Sequence, residues 1–232
     1  MIDLSSIFKK ITSVLKGRSV DIKTTKESKP MKYGTGYIKS KLDGTEREYV
    51  GSDKFKVPEK FSYVSFLPPI TDQGSSSKCV AHSLTAYMDW KKNLGEGDNN
   101  GCQFSIDKLY SIREDKHADG MQIKEALVYL YKTGMNGFKI SGYAKVGSAE
   151  YLKQAIIANG PCVAALPVYE DHMMKDFWNG SSYKGGHAIL VVGFNKNGFI
   201  IRNSWGIGFG NKGYIVLPYD SFNKFYEIWT MY

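Results

Sequence analysis

Gly185-Gly186-His187-Ala188-Ile189-Leu190-Val191-Val192 is the stretch on which the fold turns. Its unbroken apolar run predicts a buried strand that continues to Phe194. Asn197-Gly198 follows as a hairpin signal, and a second strand from Phe199 to Asn203 returns from it. Working outward, Cys162 to Val168 and Tyr214 to Leu217 have the same Val- and Ile-rich texture, so the chain beyond Pro161 reads as strands.

Upstream the periodicity changes. Cys79 to Asn93 reads as a helix, with Ala81, Leu84, Ala86, Tyr87 and Met88 as its apolar side, Lys91 and Lys92 suited to its C-terminal dipole, and Gly95 as a stop. Further helices are predicted over Ser105 to Arg113, Met121 to Thr133 before Gly134, and Ser148 to Asn159 before Gly160-Pro161. Helices first and strands second is the order of an α+β chain with two lobes, and a cleft between lobes is a common place for a site.

Composition sets outer bounds. With 232 residues, 42% hydrophobic and 23% charged, the chain can bury a real core, which excludes disorder, collagen and coiled coil. Every hydrophobic run is too short to span a membrane. The net charge is +8, but residues 1–60 carry 14 basic and 8 acidic groups, leaving 17 and 15 for the rest, so the body is nearly neutral. That distribution argues against a nucleic-acid module, because the basic arm also lacks interleaved aromatics apart from Phe8. Within the arm, Ile7, Ile11, Val14 and Leu15 fall at helical spacing beside Lys9, Lys10 and Lys16, followed by a linker-like stretch from Lys23 to Lys32. This divides the chain into a basic amphipathic arm (1–30), an extension (31–57) and a main domain (58–232) with helical (58–160) and strand (161–232) halves. Three cysteines are too few for a disulfide framework, and residues 1–16 lack the features of a secretory signal, so a cytoplasmic location is expected.

The chemistry starts from Cys79. A thiol in the first turn of a helix has its thiolate favoured by the dipole and free N–H groups, and Lys78 adds a positive neighbour. A nucleophile also needs a base. His187, held at the start of the most apolar strand beside two glycines, is the best supported of the four histidines. Asn203 ends the returning strand sixteen residues later, where its carbonyl can fix the imidazole.

In their order and spacing these residues resemble the papain-like cysteine peptidases. The resemblance runs from about Pro58 to Tyr219. It is carried by Asp72-Gln73-Gly74, by Cys79-Val80-Ala81-His82-Ser83, by Gly186-His187-Ala188, and by Asn203-Ser204-Trp205-Gly206 with Gly210 and Gly213-Tyr214. It implies a two-lobed fold, with a helical lobe, an antiparallel barrel-like β lobe and the site between them. It also implies a cysteine endopeptidase working through a thioester acyl-enzyme without cofactor or metal. Cys79 would be the nucleophile, paired as thiolate with imidazolium His187; Asn203 would orient His187; Trp205 would shield that bond; and the Gln73 amide with the Cys79 N–H would form the oxyanion hole. Gly120 and Met121 would pair with the substrate backbone. Ala165 and Ala188 would line a pocket open to a bulky apolar side chain. His82 would be structural.

The departures are informative. Ser76-Ser77-Lys78-Cys79-Val80 stands where the family commonly has Cys-Gly-Ser-Cys-Trp, and His187 follows Cys79 by only 108 residues, which resembles the compact bacterial and bacteriophage members. Residues 1–57 carry no typical inhibitory propeptide signature, so zymogen control is not expected. Two further functions remain open: a structural component of a virion or other assembly docked through residues 1–32, and an acyl-transferring ligase or transglutaminase-like enzyme. The expected partners are a protein or peptide substrate and an assembly partner for the arm, rather than nucleic acid or a membrane surface.

Overall fold

A computed structural model describes residues 33–96, 103–172 and 176–232. The expected arm, residues 1–30, and Cys102 lie outside them. The central helix α1 (Cys79–Glu96) runs three residues beyond its expected end. From Cys79 to Trp90 every residue is buried, which makes α1 a core helix rather than an amphipathic surface one. Helix α2 (Ile106–Tyr110) is shorter than predicted and is capped by the Ser105 hydroxyl, which accepts from the Lys108 N–H. Helix α3 (Ile123–Lys132) buries Ile123, Ala126, Leu127 and Leu130 at i, i+3, i+4 and i+7. It starts later than predicted because Met121 and Gln122 are drawn into a strand pair, and Glu125 accepts from the Gln122 N–H at 2.8 Å to begin the helix. Helix α4 (Ala149–Asn159) is capped by Ser148 and stopped by Gly160, whose backbone has φ 106°. Only glycine fits there, since a Cβ would lie 2.1 Å from the Trp90 ring.

The strands are β1 (Tyr37–Ile38), β2 (Phe61–Ser62), β3 (Met121–Gln122), β4 (Tyr143–Lys145), β5 (Cys162–Tyr169), β6 (Tyr183–Asn195), β7 (Gly198–Arg202), β8 (Tyr214–Leu217) and β9 (Glu227–Met231). They form one sheet in the order β3-β1-β6-β5-β9-β4, with β2 and β7 also pairing with β6, and β8 with β7. All pairs are antiparallel except β1 with β3. The predicted hairpin forms with Asn195 opposite Gly198. A register shift near Val192 bends β6, so its first half faces β5 and its second faces β7. The core lies between α1 and β6, which set Cys79 beside Ala188, the residue that follows His187.

Residues 33–57 are integrated with this body. Tyr33 is 2% exposed, β1 sits inside the sheet between β3 and β6, and the Ser52 N–H donates to Gln154 Oε1. Among the described helices none is long and apolar enough to cross a membrane.

Candidate active site

Cys79 opens α1 with its side chain fully buried, and its sulfur accepts from the backbone N–H of Ala188, the residue after His187. His187 enters from β6, where it faces Leu166 of β5. Its Nε2–H donates to Asn203 Oδ1 at 2.8 Å, and the same oxygen accepts the Ser204 N–H at 2.7 Å. Because an amide oxygen only accepts, this pair fixes the proton on Nε2 and leaves Nδ1 as the basic nitrogen. Nδ1 is buried and has no hydrogen-bond partner. The Trp205 indole stacks on the imidazole at 4.4 Å and 23°, and the Phe177 ring meets it edge-on at 6.2 Å. The base is thus oriented by one amide and walled by two aromatic rings.

Burial dominates the electrostatics. It pushes the Cys79 thiol up to about 12 against the pull of the Ala188, Val80 and Cys79 N–H groups, and it lowers His187 to about 4 although the Asn203 bond works the other way. Both shifts favour the neutral thiol and the neutral imidazole over the thiolate–imidazolium pair expected from sequence. Lys78, the expected positive neighbour, is held instead by Asp107 at 2.7 Å. The structural placing of His82 is visible: 7% exposed, with Nδ1 2.8 Å from Thr71 Oγ1 and its proton affinity lowered by burial to about 4.

What closes the site is the chain itself. Residues 33–38 thread between the two halves. The Gly34 N–H donates to the Gly74 oxygen at 2.8 Å, and the Gly34 oxygen accepts from Gln73 Nε2 at 3.2 Å and from Trp205 Nε1 at 3.1 Å. Gly36 donates to the Gly186 oxygen and accepts from the Met121 N–H at 2.8 Å. Tyr33 stacks on Trp205 at 4.6 Å and 14°. The glycines allow this approach, since a Cβ would lie 2.2 Å from the Ser76 oxygen at Gly34 and 2.3 Å from the Ser77 oxygen at Gly36. Residues 33–38, within the stretch that carries no typical propeptide signature, therefore lie against the expected site residues Gln73 and Trp205. Gln73, named for the oxyanion hole, spends its amide protons on the Gly34 and Ser76 carbonyls, while its oxygen accepts from Ser204 Oγ at 2.6 Å.

The remaining sequence-predicted residues border this segment. Gly120 and Met121 flank it on one side, a Gly120 Cβ falling 2.4 Å from the Gly36 oxygen. Ala188 and Ala165 are cross-strand partners, and Ala165 is in turn opposite Glu227. Sequence reasoning missed Tyr33, Tyr37 and Glu227; the Gly34-Thr35-Gly36 pattern was the one local sign of a close backbone approach. Among the described residues no cluster of three His, Cys, Asp or Glu side chains could hold a metal.

A helix-borne cysteine beside the strand that carries His187, with Asn203 just past β7, set between helices and a curled sheet, is the arrangement of a papain-like fold. The comparisons agree. The family described as "Papain family cysteine protease" matches residues 131–228, a span that contains His187, Asn203 and Trp205 but begins after Gln73 and Cys79. Among solved structures, xylellain, a cysteine protease from Xylella fastidiosa, superposes with a TM-score of 0.74 at 21% identity, covering 89% of this chain and 98% of that one. Procathepsin B S9 from Trypanosoma congolense gives 0.70 at 16%, covering 87% of each. A cathepsin L-like proteinase of Fasciola hepatica is 27% identical over 198 residues, and cysteine proteinase 3 of Entamoeba histolytica 27% over 201. These matches cover 68% and 72% of this chain but 60% and 64% of the relatives' own length. The chain is thus similar to papain-family cysteine proteases over these spans and shares their fold.

Proposed function

We propose that the chain is a cysteine endopeptidase held latent by its own residues 33–38. The observation that carries this reading is the His187 imidazole, with Nε2 pinned to Asn203 at 2.8 Å and a free, buried Nδ1, one residue from the amide on which the Cys79 sulfur rests. Withdrawal of the segment hydrates both groups, which lowers the thiol and raises the imidazole toward their ordinary ranges and permits proton transfer from sulfur to Nδ1. The thiolate then adds to a peptide carbonyl carbon. The resulting oxyanion accepts hydrogen bonds from the Gln73 Nε2–H, freed from the Gly34 carbonyl, and from the Cys79 N–H. As the C–N bond breaks, imidazolium His187 gives its proton to the leaving amine, and the thioester is hydrolysed by water that His187 deprotonates. Asn203 holds the ring through both transfers, and Trp205 keeps water from their hydrogen bond.

The test is labelling of the full chain by a papain-directed epoxide electrophile, mapped by mass spectrometry, together with hydrolysis of a denatured protein substrate. Adducts confined to Cys79, lost in His187→Ala, and hydrolysis abolished in Cys79→Ala are expected. Hydrolysis that survives Cys79→Ala sinks the proposal.

A further inference from the structure

Asn203 and Gln73 act on different partners in the proposed reaction, one on the base and one on the oxyanion, and Ser204 touches both. Residues 71–73 lie along residues 204–206 as a short antiparallel ribbon. The Gln73 N–H donates to the Ser204 oxygen at 2.8 Å, the Gly206 N–H donates to the Thr71 oxygen at 3.1 Å, and Asp72 is opposite Trp205. Arg202 fixes the approach to the same loop, its Nη1 and Nη2 donating to the Pro68 and Pro69 oxygens at 2.7 and 2.6 Å. Within that frame Ser204 is 5% exposed. Its backbone N–H donates to Asn203 Oδ1 at 2.7 Å, and its hydroxyl donates to Gln73 Oε1 at 2.6 Å.

A side-chain amide has an acceptor end and a donor end of nearly equal size, so packing alone does not choose which way it points, and its hydrogen-bond partners must. For Asn203 the Ser204 N–H makes the choice, because a turned amide would set its NH2 group against a backbone donor. For Gln73 the Ser76 carbonyl takes one Nε2–H at 2.7 Å while the Ser204 hydroxyl takes the oxygen. The second Nε2–H is thereby aimed into the cleft, where the Gly34 carbonyl accepts it at 3.2 Å. A hydrogen bond on the amide oxygen also polarises the amide and strengthens its N–H as a donor. We propose that Ser204 is a positioning residue that ties the base to the oxyanion donor: its backbone N–H sets the amide that orients His187, and its hydroxyl holds and polarises the Gln73 amide. The inference rests on the peptidase reading for its effect on rate, whereas the hold on Gln73 is a property of the resting protein.

The experiment compares the full chain with Ser204→Ala, Gln73→Ala and the double variant in hydrolysis of a fluorogenic peptide. Saturating peptide displaces the docked segment, whose effect then falls on KM, so kcat reads the chemistry. Ser204→Ala keeps the backbone N–H and the ribbon, and kcat is expected to fall about 10-fold with no rise in KM and no shift in the pH profile. Ser204→Thr, which retains a hydroxyl, should recover most of that loss. In the Gln73→Ala background the same Ser204→Ala change should cost less than about twofold, because the group it acts through is gone. In parallel, hydrogen exchange of the Gln73 side-chain amide is followed by NMR in the resting protein. It should quicken about 10-fold in Ser204→Ala while the His187 Nε2–H is unaffected. An unchanged kcat, an undiminished loss in the Gln73→Ala background, or unchanged Gln73 exchange overturns the proposal. Should wild type cut no peptide, the peptidase reading fails while the Gln73 exchange continues to judge Ser204. Should Ser204→Ala fail to fold, Ser204→Cys, a weaker donor of similar size, takes its place with the same directions of change.

Discussion

Replacing Gly34 by alanine is the sharpest way to open the cleft. The residue has no unusual backbone requirement, so the effect is steric: the new Cβ would lie 2.2 Å from the Ser76 oxygen and 2.8 Å from the Ser75 carbonyl carbon, both on the loop that leads to the nucleophile. Neither can yield as a flexible side chain would, so the segment must lift. Lifting breaks three hydrogen bonds, from Gly34 to Gly74 and from Gln73 and Trp205 to Gly34. At about 1 kcal/mol each, they make the loss about 3 kcal/mol, or about a hundredfold gain in the open population. The assay is the rate of Cys79 alkylation by iodoacetamide at pH 7, with Cys162 as internal control because it is equally buried and its thiol is likewise pushed up to about 12. Cys79 labelling is expected to accelerate about a hundredfold with Cys162 unchanged, and Gly147→Ala, where nothing lies within 4 Å, to match wild type. An unchanged Cys79 rate in a folded Gly34→Ala protein refutes segmental occlusion, and parallel acceleration of both cysteines shows global unfolding instead.

Other expectations follow from the same contacts. Gln73→Ala removes one donor to the Gly34 carbonyl and the proposed oxyanion donor together, so Cys79 labelling should speed up while kcat falls by about 10²- to 10³-fold; a change of both in the same direction would contradict the dual role. Asn203→Ala strands a fully buried imidazole N–H and should cost about 1–3 kcal/mol in denaturant unfolding; a loss below about 0.5 kcal/mol would show that the bond is not load-carrying in the fold. His82 and His187 both have proton affinities lowered to about 4 by burial, so the unfolded chain binds protons that the folded one refuses. Their contribution is complete above about pH 6.5 and is lost as pH falls toward 4, each adding a slope of at most about 1.4 kcal/mol per pH unit. Thermal denaturation across that window should show the decline, and His82→Gln should flatten it; an unaltered pH slope in that variant would exclude the histidine.

How far the sequence carried the fold depends on the range of each interaction. The β6–β7 hairpin and helices α1 and α4 are written locally, in apolar runs, caps and stops, and they place His187 and Asn203 on one hairpin and Cys79 at a helix start. The short strands β1, β3 and β4 and the strand β9 have no comparable signature: two or three residues cannot display a period, and Glu-Ile-Trp-Thr-Met is extended because Ala165 and Lys145 are there to pair with it. Residues 33–38 were illegible for a related reason. Tyr-Gly-Thr-Gly-Tyr has the composition of a linker, and only the tertiary structure shows that its glycines permit contact with the Ser76 and Ser77 carbonyls while its tyrosines seat on Trp205 and Tyr226. Burial acts on Cys79 and His187 in the same direction, toward their neutral forms. On the proposed reading, burial that raises the proton affinity of Cys79 and lowers that of His187 disfavours the reactive ion pair while the docked segment occupies the cleft. Because the docked pair, as thiol and neutral imidazole, holds one proton, and the open thiolate–imidazolium pair also holds one, docking is indifferent to pH wherever the open ion pair persists. Acid weakens it below the open-state thiol titration and alkali above the open-state imidazole titration. Occlusion should therefore be tightest across the middle of the pH range and relax at both ends, a dependence that steric blockage without desolvation would not produce.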